Sequence, residues 1–166
     1  MAYSYNYFKE EVAEYIKKHF SKDSTVLDVG AGSGTYYNYL GDYFDSMDAV
    51  EIFSPNVKEF KLNEKYKNVY ECNIVDFEYD YYDLIIFGDV LEHLTVNDAK
   101  KVIEYALGRC KEVIVAVPYL FEQGECYNNI YETHLQPDLT EEIMEERYPY
   151  LKLLYSNKDY GYYIKK

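Results

Sequence analysis

Residues 26–34 read Val-Leu-Asp-Val-Gly-Ala-Gly-Ser-Gly, and this run limits the fold more than any other in the chain. An apolar, β-branched stretch delivers an acid, Asp28, into a turn that carries Gly30, Gly32 and Gly34. Glycines set so closely are costly unless the backbone must bend where a side chain is not tolerated. A helical stretch opens near Thr35, and the next apolar run, Asp48 to Glu51, ends in a second acid. A strand, a glycine turn and a helix N-terminus leave bare backbone against which a cofactor can lie. An acid at the tip of the neighbouring strand can then hold a ribose diol. The pattern predicts a nucleoside-cofactor site.

The remaining segments alternate in the same way. Phe8, Val12, Tyr15, Ile16 and Phe20 recur at helical spacing, so about residues 7–20 read as an amphipathic helix. Strands are expected at Thr25–Val29, Met47–Glu51, Val69–Cys72, Tyr82–Phe87 and Val113–Val117. The run Tyr82–Phe87 is apolar almost throughout, the mark of a parallel strand covered on both faces. Between the strands, Tyr36, Tyr37, Leu40, Tyr43 and Phe44 form one helical stripe. Ser54-Pro55 opens a second helix, with serine as cap, and Thr95 caps a third that Gly108 stops. After Pro118 come a loop of about twenty residues, a helix over Leu139–Arg147 and two strands, Leu151–Tyr155 and Tyr160–Ile164, close enough to form a hairpin. The expected fold class is α/β: a doubly wound, mostly parallel seven-stranded sheet with helices on both faces. A C-terminal hairpin places an antiparallel strand at one edge. The 166 residues read as a single domain, with an N-terminal lid and helix over 1–24 and a substrate loop over 119–137.

Two cofactors compete for the glycine loop. A dinucleotide fingerprint wants its third glycine at position 35, where threonine stands, and a second βαβαβ half that the terminal hairpin replaces. That reading, an NAD(P)-dependent oxidoreductase, is the remote one. The segments VLDVGAGSG, Glu51, Cys72-Asn73-Ile74 and Tyr82–Leu94 (YDLIIFGDVLEHL), in this order, resemble the class I S-adenosylmethionine-dependent methyltransferases. The resemblance runs from about Thr25 to Pro118, with a compatible terminal helix and hairpin. It implies S-adenosylmethionine as cofactor, S-adenosylhomocysteine as product, and a role for each matching position. Gly30, Ala31, Gly32 and Gly34 would pass beneath the methionine and ribose. Asp28 would sit under the methionine ammonium, directly or through water, Glu51 beside Ile52 would accept from both ribose hydroxyls, and Asp89 would line the methionine end. Asn73 would meet the adenine amino group, with Asp76 as its rival, and the Ile74 N–H a ring nitrogen. Replacing Glu51 by alanine is expected to weaken adenosyl binding and leave the unliganded melting point nearly unchanged.

Methyl transfer needs alignment and dry surroundings more than a fixed catalytic set. Where the acceptor is a hydroxyl or a protonated amine, His134 in the long loop and His93 one turn past the fourth strand are the candidate bases. Asp89, Glu92 and Glu132 are metal-ligand candidates by residue type alone; nothing in their spacing asks for a metal, and none is expected. Tyr3, Tyr5 and Tyr7, with loop residues Tyr119, Phe121, Tyr127 and Tyr131, offer an aromatic lid over the acceptor.

Composition narrows the acceptor. Seventeen basic against thirty acidic residues give a net charge of −13, which repels nucleic acid. A small molecule or saccharide is the expected acceptor, with a protein as alternative; a cofactor-binding partner subunit without chemistry is the other class. Three cysteines, 72, 110 and 126, show no metal or disulfide spacing, and no run approaches the ~18–20 apolar residues of a membrane span. The sequence reads as cytoplasmic.

Overall fold

The computed structural model describes residues 5–166. Strands β1 (Val26–Val29), β2 (Met47–Val50), β3 (Asn68–Tyr70), β4 (Tyr82–Gly88), β5 (Cys110–Pro118), β6 (Leu151–Ser156) and β7 (Tyr160–Lys165) form one sheet. Its order is β3-β2-β1-β4-β5-β7-β6. Parallel pairing runs from β3 to β5. β7 is antiparallel to both its neighbours, β5 and β6. The expected doubly wound α/β sheet is therefore present.

One detail of that expectation is corrected. The antiparallel strand β7 lies one place in from the edge, and the edge is β6, which runs parallel to β5. Burial explains the choice. Tyr160 to Ile164 are all buried, as an inner strand covered on both faces requires, whereas β6 exposes Lys152 and Leu153.

Alternation of side chains divides the core between the two faces. Leu27, Val29, Ile85, Phe87, Val113 and Val115 join α5 (Val96–Leu107) and α6 (Glu141–Arg147) on one face. Val26, Leu84, Ile86, Ile114 and Ala116 meet α1 (Lys9–His19), α2 (Thr35–Leu40), α3 (Ser54–Glu59) and α4 (Leu62–Lys65) on the other. β4 sits in the middle, and Leu84 to Phe87 are wholly buried. Each such side chain contributes roughly 1.5–3 kcal/mol relative to exposure.

Most helix signals act where expected. Thr95 accepts from the Asp98 N–H at 3.1 Å and starts α5, and Gly108 caps its end. Ser54 is not the cap of α3. It lies inside the helix with Pro55 in the first turn, and its hydroxyl donates to Glu71 instead. α6 starts two residues after Leu139, because Thr140 accepts from the Ile143 N–H and Leu139 is buried before the cap. β3 stops at Tyr70, two residues early, because the Cys72 N–H turns back to the Tyr70 carbonyl. α4, four residues following a left-handed Lys61, is too short to leave a periodic signature.

Candidate active site

The carboxyl ends of β1, β2 and β4 open into a cleft of about 340 Å³. Its floor is the glycine turn, where Gly30, Gly32 and Gly34 hold φ of 70°, 53° and 81°. These left-handed values are what the glycine spacing anticipated. Gly30 and Ala31 donate to the Val50 carbonyl at 2.9 and 3.2 Å, which locks the turn to the end of β2. A Cβ on Gly30 would fall 2.6 Å from Cγ2 of Val90, so the turn also packs without room for a side chain.

Glu51 follows β2 directly, and its N–H donates to the Tyr70 carbonyl of β3 at 3.0 Å. Its Oε2 accepts from the Gly32 N–H at 2.7 Å and its Oε1 from the Phe53 N–H at 2.8 Å. Burial pushes its carboxyl pKa up, and the Phe53 and Gly32 amides push it back down. The carboxylate thus faces the glycine turn and borders the cleft, with Asn56 and Ile52 adding to the donors around it. Ala31, Ile52, Asn73 and Ile74 share the same wall. Asn73 also caps the short 3-10 turn Ile74–Asp76 by accepting from the Val75 N–H at 3.0 Å. Its amide NH₂ carries none of that bond. Its rival Asp76 does not line the cleft.

Asp28 stands apart from the other expected residues. Successive strand side chains point to opposite faces, so with Val29 on the cleft wall, Asp28 turns beneath the turn and off that wall. It is 1% exposed and accepts from the Tyr66 hydroxyl at 2.5 Å. Burial raises its pKa to about 7, against the lowering effect of Tyr66 and Lys9.

Asp89, just past β4, lines the cleft in a left-handed conformation (φ 56°). Its Oδ1 accepts from the Tyr160 hydroxyl at 2.6 Å, and its Oδ2 lies 4.0 Å from the Lys9 ammonium. Sequence reasoning missed Lys9. It is 2% exposed, with its ammonium 4.7 Å from the centre of the Tyr36 ring and 5.7 Å from those of Tyr160 and Tyr162. Such a cage attracts a cation through the ring faces. Burial lowers the Lys9 pKa, and Asp89, Asp28 and Glu92 oppose that shift. The signal was present: Lys9 shares the α1 stripe of Val12, Ala13 and Ile16 at helical spacing.

Both candidate histidines reach the cleft, and their ring centroids lie 4.7 Å apart. The short 3-10 turn Leu91–His93 carries one and the long loop the other. The Leu135 and Gln136 N–H groups donate to the Glu92 carbonyl at 2.7 and 3.0 Å, binding loop to turn. Gln136, only 2% exposed, donates through Nε2 to the Leu91 and Leu94 carbonyls and accepts through Oε1 from Tyr148 and Arg147. Burial, then the His134 charge, pushes the His93 pKa down to about 4. Burial also lowers that of His134, against its bond to the Phe121 carbonyl. Both imidazoles are therefore neutral near pH 7.

The lid residues divide. Tyr3 lies outside the described residues. Tyr5 and Phe121 line the cleft with ring centroids 6.1 Å apart, and Tyr131 joins them on the wall. Tyr119 faces inward instead, with its hydroxyl 2.5 Å from that of Tyr163. Tyr127 stays 69% exposed and off the cleft wall.

An open α/β sheet with a glycine turn after β1 and an acid after β2 defines the class: a Rossmann-like, class I S-adenosylmethionine-dependent methyltransferase fold. The chain belongs to the methyltransferase domain family, whose model matches residues 3–112. It is 32% identical over 109 residues to an uncharacterized protein of Methanocaldococcus jannaschii, a match that covers 65% of this chain and 47% of that protein. The chain thus spans about half the length of that curated relative. Among solved structures it resembles an S-adenosylmethionine-dependent methyltransferase from Clostridium acetobutylicum (TM-score 0.71, 16% identity, 98% of this chain and 92% of that one). It also resembles magnesium protoporphyrin IX methyltransferase from Synechocystis with bound S-adenosylmethionine (TM-score 0.67, 13% identity, 100% and 87%). The residues present suit the cofactor of this class: bare backbone at the turn, an amide-braced carboxylate at 51, and further acids on the cleft wall of the sign that suits a cationic sulfonium.

Among the described residues, no helix is long and apolar enough to cross a membrane.

Proposed function

We propose that the protein transfers a methyl group from S-adenosylmethionine to an oxygen or nitrogen of a small molecule or saccharide. The observation that carries this reading is the Glu51 carboxylate, fixed by the Gly32 and Phe53 amides beside a bare glycine turn, in a cleft that also reaches two histidines. When bound, the cofactor supplies an electrophilic methyl on a sulfonium and departs as a neutral thioether.

In this reading Glu51 accepts from the two ribose hydroxyls, a task suited to two oxygens already aligned by backbone donors. Gly30, Ala31, Gly32 and Gly34 let the cofactor lie on the turn. Ile52, Asn73 and the Ile74 N–H meet the adenine, and Asp89 borders the methionine end. Asp28 acts at one remove, through the packing under the turn. Alignment of acceptor and methyl lowers the barrier by several kcal/mol, of order 7–11 in favourable cases.

Tyr5, Phe121 and Tyr131 form the wall available to the acceptor, with Tyr5 and Phe121 partly exposed at 39% and 38%. Aromatic faces at the mouth fit a planar or sugar-like acceptor and keep water from the transfer. The name of one similar structure gives magnesium protoporphyrin IX, a planar small molecule, as that protein's substrate. An acceptor hydroxyl would lose its proton at the His93 and His134 end, where both rings are neutral.

Thermal shift with S-adenosylmethionine, S-adenosylhomocysteine and NAD in parallel tests the cofactor. At 100 times its dissociation constant a ligand adds about 2.7 kcal/mol, which for this chain length is roughly 5–10 °C. The expected result is a shift with both adenosyl ligands and none with NAD. A shift with NAD alone overturns the reading. S-adenosylhomocysteine production with fractionated small-molecule extract then tests the acceptor; label passing only into protein or RNA would reject the small-molecule class.

A further inference from the structure

We propose that Glu92, His93 and His134 form a binding site for a divalent transition-metal cation at the acceptor end of the cleft, where it holds a hydroxyl-bearing acceptor. The inference rests on the methyl-transfer reading for the acceptor, but the cation site stands on its own geometry. It reverses the expectation of no metal drawn from spacing.

Donor atoms of the three side chains all lie within 4.8 Å of one another, and Glu92 Oε1 is 3.9 Å from His93 Nε2. Zinc-to-nitrogen and zinc-to-oxygen bonds of about 2.0–2.2 Å place tetrahedral donors roughly 3.3–3.5 Å apart. Side-chain shifts of about an ångström, at the Glu92–His93 pair as well as at His134, therefore complete a two-histidine, one-carboxylate set.

The hydrogen-bond pattern prepares the rings for that role. His93 Nδ1 faces the Thr133 carbonyl at 3.3 Å, and His134 Nδ1 faces the Phe121 carbonyl at 2.7 Å. A carbonyl only accepts, so each Nδ1 carries the proton and each Nε2 keeps a lone pair. Metal-bound histidines are held in this way, with the second ring nitrogen donating to a backbone carbonyl or carboxylate.

Glu92 gives an independent signal. Its side chain is 1% exposed, yet among the described residues its Oε2 has no hydrogen-bond partner. A buried carboxylate without a partner is costly unless a cation or proton meets it. Asp89 also leaves Oδ2 without a hydrogen bond among the described residues, and Glu132 adds a further acid to the same wall. Two imidazoles with one carboxylate suit zinc, manganese, iron or cobalt rather than magnesium or calcium.

Chemically, the cation would bind the acceptor oxygen and make its hydroxyl a stronger acid. With both imidazoles engaged as ligands, this arrangement replaces His93 and His134 as the proton acceptors, and the hydroxyl proton passes to water. The oxygen then forms the bond to the methyl carbon as the carbon–sulfur bond breaks and its electron pair returns to sulfur.

The test titrates metal-stripped, full-length protein with Co²⁺ and Zn²⁺ by calorimetry and by the visible absorption of Co²⁺, with Mg²⁺ as comparison. One equivalent of Co²⁺ and Zn²⁺ should bind, and Mg²⁺ should not. His134→Ala and Glu92→Gln should each weaken binding by more than the about 10–100-fold that loss of an outer-shell partner brings. The loop variant His134→Ala guards against misfolding at the buried Glu92. Its thermal shift with S-adenosylhomocysteine should match that of the parent chain. Absence of stoichiometric binding, or binding that both variants leave unchanged, overturns the site. Metal binding without any adenosyl thermal shift would keep the site and reject the methyl-transfer reading. An adenosyl shift without metal binding does the reverse.

Discussion

Glu51 and Asp28 are both acids at the ends of strands bordering the glycine turn, and the structure gives them opposite surroundings. Glu51 braces two backbone amides, so its alanine variant leaves the Gly32 and Phe53 N–H groups unpaired. The expectation of an unchanged melting point for Glu51→Ala is therefore revised: the unliganded protein should lose about 1–3 kcal/mol. Glu51→Gln isolates the ligand effect. Losing hydrogen bonds to a charged group costs about 1.5–3 kcal/mol, so affinity for S-adenosylhomocysteine should fall roughly 10–100-fold by calorimetry. Asp28 makes one contribution to the pH dependence. Burial raises its folded pKa from the ordinary 3.8 to about 7, so the folded chain binds a proton that the unfolded chain has released between these values. Its contribution to stability then declines as pH rises across that window and is lowest above it. Asp28→Asn removes that contribution: its stability relative to the parent chain should be greater at pH 8 than at pH 4 by on the order of 2–4 kcal/mol. Denaturant titration at the two pH values checks this. An equal difference at both would show that the carboxyl does not titrate between them.

At the scale of elements, the sequence was most legible where a local signal had no competitor. The β4 run Leu84–Phe87 read as a doubly covered strand, and it is wholly buried between two helix layers. Thr95 and Gly108 bound their helix as expected. Ser54 failed as a cap because Glu71, seventeen residues away, takes its hydroxyl. The long loop was the least legible element, since its conformation depends on partners far along the chain. Gln136, buried after His134, ties it to the 3-10 turn and to α6 through four hydrogen bonds. Gln136→Leu should therefore cost about 1–3 kcal/mol for the stranded carbonyls and Tyr148 hydroxyl. It should also misplace His134 while leaving the glycine turn untouched, lowering kcat with little change in the affinity for S-adenosylhomocysteine. Steady-state kinetics with calorimetry would separate the two; an equal loss of cofactor affinity would mean the loop also supports the adenosyl pocket.

For the whole molecule, the charge of −13 matters at the cleft as well as at the surface. Glu51, Asp89, Glu92 and Glu132 all border it. S-adenosylmethionine carries one positive charge more than S-adenosylhomocysteine, so the protein's field favours the substrate form. Screening shortens from about 30 Å at 0.01 M ionic strength to about 3 Å at 1 M. Rising salt should accordingly weaken S-adenosylmethionine binding more than S-adenosylhomocysteine binding, as calorimetry over that range would measure. Parallel slopes would assign the affinity to the adenosyl part alone.

The sequence by itself determined the sheet, its two helix layers and the bare-backbone turn with the acid of β2 beside it. These follow from short-range rules: alternation of apolar runs, and glycines where φ must be positive. Tertiary structure decided which acids border the cleft: Asp28 lies inside β1 and off the cleft wall, whereas Glu51 follows β2 and lines it. It alone set Lys9 of α1 within a tyrosine cage built from two further elements, α2 and β7. It also brought Glu92 and His93 against His134, some forty residues onward. Such convergence depends on long-range packing, which no local periodicity encodes.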